Sequence, residues 1–589
     1  MNPFRAIRLS RRPVGTAFIA ALAMAFAWGA AVVQGATVTV TTTVDVVDGN
    51  VTSVAALQGT PGGAGISLRE AVRAVNNDPG GPHIISIPAG TYTLSLAGAD
   101  DTAVAGDLDV RKAVTITGAG SASTILRAGT TAANGIDKIF SCNPLGNLPG
   151  FPVSISGVTL RFGRNTDTSV AGGNNIGGAM DFDAGFGANF NGLGTLTLSD
   201  VIFDQNSTTN GEGGGLALFD GGTVNVTSCQ FTANRANSNA ANTMEGGAIF
   251  AGFANGHAIS YSFTSCLISG NATAGTAPSN GGGVFSFTGG LAFHACTIMN
   301  NSTGGVSSDG GGIDSQGPLT IDQGTIVSGN SAARWGGGVF VNGTTATISN
   351  STITNNTSGS NGGLGGGGIF TNAGTTTVSN CRIVGNSATG ISASGGSQLG
   401  TNSGNPAVTM NAINNWFGTN APPASFFGVG VTASPNLVLA VTAAPNTVVT
   451  GQTSTVTAAI TRNSSNVSGF TVPTGTPVSY SAVLGTMSPV NDTLTSGTDT
   501  STFTPTGVGA GSGAATVDSQ TISAVITINK ANTTTVIASD APDPSVIGQN
   551  YTVIATVGVT APGAGAPTGT ITVSDGVNVG TITLPATSV

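Results

Sequence analysis

Two aspartates, Asp181 and Asp183, stand two residues apart in the run AMDFDA. On a β-strand such a pair projects from one face with Cα atoms about 6.6 Å apart. That is near the spacing of the two carboxyl groups that hydrolyse a glycosidic bond with inversion. If the chain is an enzyme, these two residues are the candidate acid and base. Other reactive groups are poorly placed for chemistry. Asp309 and Asp314 have no evident third carboxylate, and Arg235, Arg334 and Arg382 are scattered along the chain. The three histidines (His83, His257, His294) and five cysteines show no zinc-ligand spacing, so neither a metal nor another cofactor is expected. Cys229, Cys266 and Cys296 recur at one position of a repeat, where stacking would allow a bridge between neighbours, and are read in preference as reduced core thiols.

That repeat must position anything functional. From about residue 176 to 416, a glycine triplet with a bulky residue alternates with an apolar residue followed three places later by asparagine. The triplet words begin at Gly177, Gly213, Gly246, Gly281, Gly310, Gly336 and Gly366. The second words end at Asn206, Asn234, Asn271, Asn301, Asn330, Asn356 and Asn386. Five residues before each Asn lies an anchor: Val201, Cys229, Cys266, Cys296, Thr325, Ser351 and Cys381. Triplet to anchor is 15 residues in the last four copies, 16 from Gly213 to Cys229 and 20 from Gly246 to Cys266. Between each Asn and the next triplet lie instead 6, 11, 9, 8, 5 and 9 residues. Strands stacked at constant register with loops of free length on one edge produce this pattern, which predicts a right-handed parallel β-helix. Period-two segments such as TVNV and LTI fit its strands. The seven Asn side chains are expected to form a buried ladder, each amide bonding the next at the ~4.8 Å rung spacing.

The alternating GGA[ILV] and FxxN words resemble the repeats of the chlamydial polymorphic outer membrane proteins, which implies a β-helical surface adhesin. Upstream, Ser67 and Glu70 have capping-box spacing, with Leu68, Ala71, Val72 and Val75 on one face. This predicts a helix over about 67–77, the one convincing helix after the leader. Its segment ISLREAVRAVNN, followed by IISIPAGTYTL, GDLDV and VTITGAG, resembles the CSLREA motif of secreted bacterial β-helix proteins, with Ile66 in place of the usual Cys. Physically such a helix covers the open end of the coil. NNWFG, at residues 414–418, resembles the NxWWG ending of such proteins. There Asn411 is assigned the next anchor and Trp416 the ladder position, where its ring would close the core. Pectate lyases and polygalacturonases share the coil. Asn165-Thr166-Asp167 and Gly256-His257 faintly echo polygalacturonase words, but the paired Asp and the full GHG motif are missing.

Residues 1–36 read as a Sec-type signal peptide, with Arg5, Arg8, Arg11 and Arg12 before an apolar run. The β-helix is assigned 37–418 and a linker 419–434. Residues 435–529 resemble an invasin-type Ig-like sandwich, and 530–589 an incomplete second one. Only 7% of the 589 residues are charged, while 39% are hydrophobic and 91 are Gly, which suits stacked hydroxyl- and amide-rich sheets rather than disorder. Removal of the leader leaves 13 basic residues against 26 acidic ones, so nucleic acid is not an expected partner.

The reading that follows is a secreted or cell-surface, adhesin-like repeat protein, non-catalytic, whose partner is a carbohydrate or protein surface. Membrane contact is expected only through the leader or a downstream anchor. The predicted contact face is the set of variable loops at 235–245, 272–280 and 357–365. The alternatives are a polysaccharide lyase or glycoside hydrolase on the coil, and a purely structural envelope component.

Overall fold

A computed structural model describes residues 35–98, 100–144, 148–166, 176–185, 194–237, 243–252, 259–287, 289–359 and 363–584. The leader up to residue 34, Asp167 and His257 lie outside the described residues.

One rung shows how the repeat becomes a coil. Ile249–Ala251 lies in a ten-stranded sheet, Ile259–Thr264 and Leu267–Ser269 form two limbs of a 21-stranded sheet, and Ala272–Ala274 lies in a third sheet. Each pairs in parallel with its counterpart one rung earlier, as in Ile249 with Leu216 and Ser262 with Asn225. Left-handed residues turn the chain at each corner: Ser265 (φ 54°) before the anchor Cys266, and Gly270 (φ 66°) before Asn271. The triplet makes the sharpest corner. Gly246 has φ 70°, and a Cβ there would lie 2.2 Å from the Ile249 carbonyl oxygen. At Gly247 a Cβ would lie 2.1 Å from the Gly282 carbonyl oxygen of the next rung. Only glycine fits either place.

The asparagines run continuously down one corner. Nδ2 of Asn206, Asn234, Asn271, Asn301, Asn330 and Asn356 donates to Oδ1 of the next Asn at 2.9–3.0 Å. The same Oδ1 accepts the backbone N–H of the Asn above it, and the second Nδ2 proton goes to a carbonyl of the preceding rung, as in Asn301 to Ile268 at 2.9 Å. All four hydrogen-bonding positions of each internal amide are therefore used. Gly163 N–H caps the upper end on Asn206, and Asn386 ends on Gln398 Oε1 at 3.2 Å. Inside the coil, Phe203, Phe231, Phe263 and Phe293 follow one another with centroids 4.5, 6.5 and 5.3 Å apart, the outer two pairs stacked and the middle pair edge-on. The five cysteines are free and buried; Cys266, for example, donates to the Thr264 carbonyl and Cys296 to that of Phe263.

Two helices cover the first rungs, α1 (Val54–Gly59) and α2 (Leu68–Asn77), where one was expected. α2 carries the reciprocal capping box: Ser67 Oγ accepts Glu70 N–H at 3.1 Å, and Glu70 Oε2 accepts Ser67 N–H at 2.8 Å. Arg69 is fully buried, pairs with Asp45 at 2.7 Å, and donates to the carbonyls of Gly106 and Asp107 at 2.8 and 3.0 Å. The cap thus clamps the loop that enters GDLDV.

The lower end differs from expectation in three ways. Cys381 N–H donates to Asn415 Oδ1, so Asn415 and not Asn411 occupies the anchor; Asn411 pairs with Thr377 on the first limb. This anchor lies 34 residues after Cys381, where Asn411 lies 30 after it, because the preceding loop is longer. Trp416 consequently aligns with Arg382, one place past the anchor, and projects outward. Its ring joins the core of the following sandwich, while inward-facing Phe417 closes the coil. Residues 419–434, read as a linker, instead carry Val431–Thr432, which pairs in parallel with Met410–Asn411 as a last partial rung.

The sandwich packs a four-stranded and a five-stranded sheet around Leu439, Val456, Ile460, Tyr480, Phe503 and Ile526. Asp518 docks it onto the coil, receiving Arg382 and the Trp416 Nε1–H (2.7 Å) together. Beyond it stand two separate hairpins, Thr533–Ala541 with Thr552–Val559 and Gly569–Ser574 with Val579–Leu584. The expected variable loops also begin with order: Arg235–Asn237, Ala272–Ala274 and Thr357–Ser358 are strands of the third edge.

Replacing Asn301 by Ala leaves the N–H groups of Asn271 without an acceptor inside the coil. The variant is expected to lose about 2–4 kcal/mol in denaturant titration, whereas Thr347→Ala on the exposed face changes stability by less than about 0.5 kcal/mol. Asp518→Ala strands Arg382 and the Trp416 indole at the coil–sandwich junction. Limited proteolysis is expected to cut residues 419–434 faster in this variant than in the parent chain.

Candidate functional site

The ten-stranded sheet decides where reactive groups gather. Its strands place one residue per rung in a single outward column: Asp109, Ser141, Asp181, Ala217, Phe250, Phe285, Asp314, Phe340, Phe370 and Gly400. This outer face is not a solvated one. Phe250 and Phe285 stack over it with centroids 5.8 Å apart, Phe340 and Phe370 at 5.9 Å, and all four rings are buried. Asp181, in the same outward column, is likewise buried.

At the top of the column the outward residues are polar and a cleft of about 440 Å³ opens beside them. Asp100, Asp101, Asp107, Asp109 and Asp137 line it together with Lys138, Ser141, Asn165 and Thr166. Lys138 stands two residues before the strand Phe140–Cys142, and its Nζ lies 2.7 Å from Asp181 Oδ1 and 3.9 Å from Asp107 Oδ2. Ser141 Oγ donates to Asp181 Oδ2 at 2.9 Å. Burial opposes the charge on Lys138, but Asp181 and Asp107 outweigh it and hold the ammonium above its ordinary range. Lys138 is therefore a fixed cation at neutral pH and not a base. Burial pushes Asp107 well above the usual carboxylate range, against the pull of Lys138. It also raises Asp109 to about 7, although Asp109 accepts Ala103 N–H at 2.6 Å. Asp100 folds the rim by accepting the N–H groups of Thr102, Val104 and Ala105.

The two aspartates singled out from spacing do not share this cleft. Asp181 lies beneath Lys138 and Ser141, engaged by both. Asp183 accepts Gly185 N–H at 2.8 Å, and burial followed by the charge of Asp220 raises it to about 7. The coil places them side by side but gives them different neighbours. Sequence reasoning passed over Asp107, Asp137 and Lys138. GDLDV was read as structure only, and a lone Lys before a short strand carries no motif. Asn165 and Thr166 do line the cleft. The three arginines serve elsewhere: Arg382 on Asp518, Arg334 on Asp309 (Nε to Oδ1 2.8 Å), and Arg235 in an edge strand.

A second group of carboxylates lies lower on the same face. Asp314 sits between Phe285 and Phe340 in register, 1% exposed, and neither carboxyl oxygen has a hydrogen-bond partner. Burial raises it far above the usual range, reinforced by Asp309 and Glu245 and opposed by Arg334. Glu245 and Glu212, each just before a glycine triplet, are pushed by burial to about 8 and about 7. Among the described residues no group of three His, Cys, Asp or Glu side chains is arranged to hold a metal ion.

Comparison with known proteins adds the following. The family profile described as right handed beta helix region matches residues 282–467, so the coil is a right-handed parallel β-helix. No curated protein matches the chain. Among solved structures, the D0–D1 domain of intimin is 20% identical over 17% of this chain and 52% of its own, with a TM-score of 0.14. The Yersinia pseudotuberculosis adhesin InvE is 23% identical over 24% and 42%, with a TM-score of 0.17. Pectate lyase Pel9A is 14% identical over 69% and 80%, with a TM-score of 0.32. The chain spans about half the length of the two adhesin structures.

Groups held protonated by burial in the folded state, but free at an ordinary carboxylate value when unfolded, lose stability as pH rises from about 4 through the raised values. Asp314, Glu212 and Glu245 all act in this sense. The melting temperature of the chain is expected to fall between pH 5 and pH 8.5. In Asp314→Asn, which keeps the shape and cannot ionise, the fall is smaller. Equal falls in both proteins would show that Asp314 carries no such strain.

Proposed function

We propose that this chain is a secreted or cell-surface, adhesin-like rod that binds a carbohydrate through the polar cleft at the capped end of its β-helix, without chemistry. The observation that carries this reading is the state of the cleft's charged groups. Its one cation among the described residues, the half-buried Lys138, is held between Asp181 and Asp107, and Asp181 is spent on that cation and on Ser141. What remains on the walls is a rim of carboxylate, hydroxyl and amide groups, which suit the hydroxyls of a sugar. The rod and its docked sandwich supply rigidity, since the site stands on stacked strands clamped by a buried arginine and not on a free loop.

A second reading is cleavage of a polysaccharide. It is favoured by Asp107, which lines the cleft and which burial pushes well above the usual carboxylate range, the direction a general acid needs. The two readings separate on incubation of the purified chain with a panel of neutral and acidic polysaccharides, with and without calcium. The expected result is retention of at least one polymer, weakened by Asp107→Asn, with every polymer's size distribution unchanged. Shortening of any polymer would overturn the non-catalytic reading and assign Asp107 and Asp181 for substitution. Failure to retain any polymer would sink the carbohydrate assignment.

A further inference from the structure

The cleft's wall chemistry points to one class of sugar. Five carboxylates line it against a single lysine. That lysine is already matched by Asp181 at 2.7 Å, which lies beneath the lining. Among the described residues the lining therefore holds more carboxyl groups than its one lysine can match. Asp107 makes the point most sharply: it is 4% exposed and lines the opening, its carboxyl group makes no hydrogen bond among the described residues, and its nearest cation among them is Lys138, loosely paired at 3.9 Å. A buried carboxyl group of this kind is costly unless a donor reaches it. Its position is no accident of a loose loop, because Arg69 of the cap binds the Asp107 carbonyl and fixes the segment.

We propose that the cleft binds an amino sugar, an oligosaccharide bearing free primary ammonium groups, with one ammonium seated at Asp107 and the neighbouring hydroxyls on Ser141 and Thr166. An ammonium supplies three donors and a positive charge, which satisfies Asp107 and reduces the repulsion among Asp107, Asp109 and Asp137 together. A uronic acid polymer would meet like charge on every wall. A basic peptide offers the same charge, but the lining presents only Ile136 and Pro144 as apolar anchors for side chains between the amines. A polyol backbone matches the remaining polar wall.

This inference rests on the cleft being the binding site, and the experiment separates the two claims. The intact chain is titrated calorimetrically with a glucosamine tetramer, its fully N-acetylated counterpart, an oligogalacturonate and trilysine. Asp107→Asn and the exposed Asp101→Asn are titrated alongside, each first checked for an unchanged melting temperature. The expected result is at least tenfold tighter binding of the glucosamine tetramer than of the acetylated one, and none of the oligogalacturonate. Binding should weaken tenfold or more in Asp107→Asn, several-fold in Asp101→Asn, and further as salt is raised. Equal binding of both tetramers, lost in Asp107→Asn, would overturn the ammonium assignment and leave the cleft as the site. Glucosamine binding untouched by either substitution would overturn the cleft itself. Trilysine binding tighter than the tetramer would overturn the sugar assignment in favour of a basic peptide. Should Asp107→Asn fail to fold, Asp101→Asn and the salt dependence decide.

Discussion

Everything in this molecule depends on one polar interaction made in the interior: the amide ladder from Asn206 to Asn386. A parallel coil must turn its backbone at each corner, and a corner leaves N–H and C=O groups facing the core without strand partners. The asparagines meet that demand. Each amide binds the backbone and side chain of its neighbours, so the corner is satisfied only when consecutive rungs are in register. Register in turn fixes which residues face inward, because a slip by one place would turn the phenylalanine stack to solvent. Ladder and core therefore specify the same alignment by independent means.

That alignment extends to the outer face of the ten-stranded sheet. With register set, one residue of every rung falls into a column, and the column changes character along its length. Near the cap it holds Asp109, Ser141 and Asp181 beside an open cleft; further down it holds rings, interrupted by Asp314. The raised carboxyl groups along this face share one cause, burial without enough cations. Arg334 and Lys138 each hold one carboxylate closely and leave others uncompensated. A chain with 7% charged residues has spent a good share of its acids where charge is expensive, and that concentration marks the cleft for attention.

The two ends of the coil are handled differently. At the top, Arg69 is wholly buried and ties helix α2 to the first rungs through Asp45 and three carbonyl groups. Capping and site-building are therefore one structure, since the clamped loop carries Asp107. At the bottom, the end of the coil is itself an interface. Trp416 belongs to the sandwich core, Phe417 to the coil, and Asp518 holds the junction through Arg382 and the indole.

The sequence by itself determined the coil, because its determinants are local and recur: a glycine triplet, an anchor and an Asn at nearly constant spacing. Ser67 with Glu70 was legible for the same reason, a capping box being a matter of four consecutive residues. What failed were inferences that carried a local count across a variable loop. Asn411 and Trp416 were given positions by counting 30 residues on from Cys381, and a longer loop moved the anchor to Asn415. Asp181 and Asp183 share a strand, yet the loops and neighbouring rungs that surround a strand decide what each carboxylate meets. Asp107 and the pair Asp137-Lys138 come from two segments with no motif in common, and only the stacking of their two rungs brings them to one cleft. A repeat encodes which backbone lies beside which; the surroundings of a side chain depend on everything folded over it.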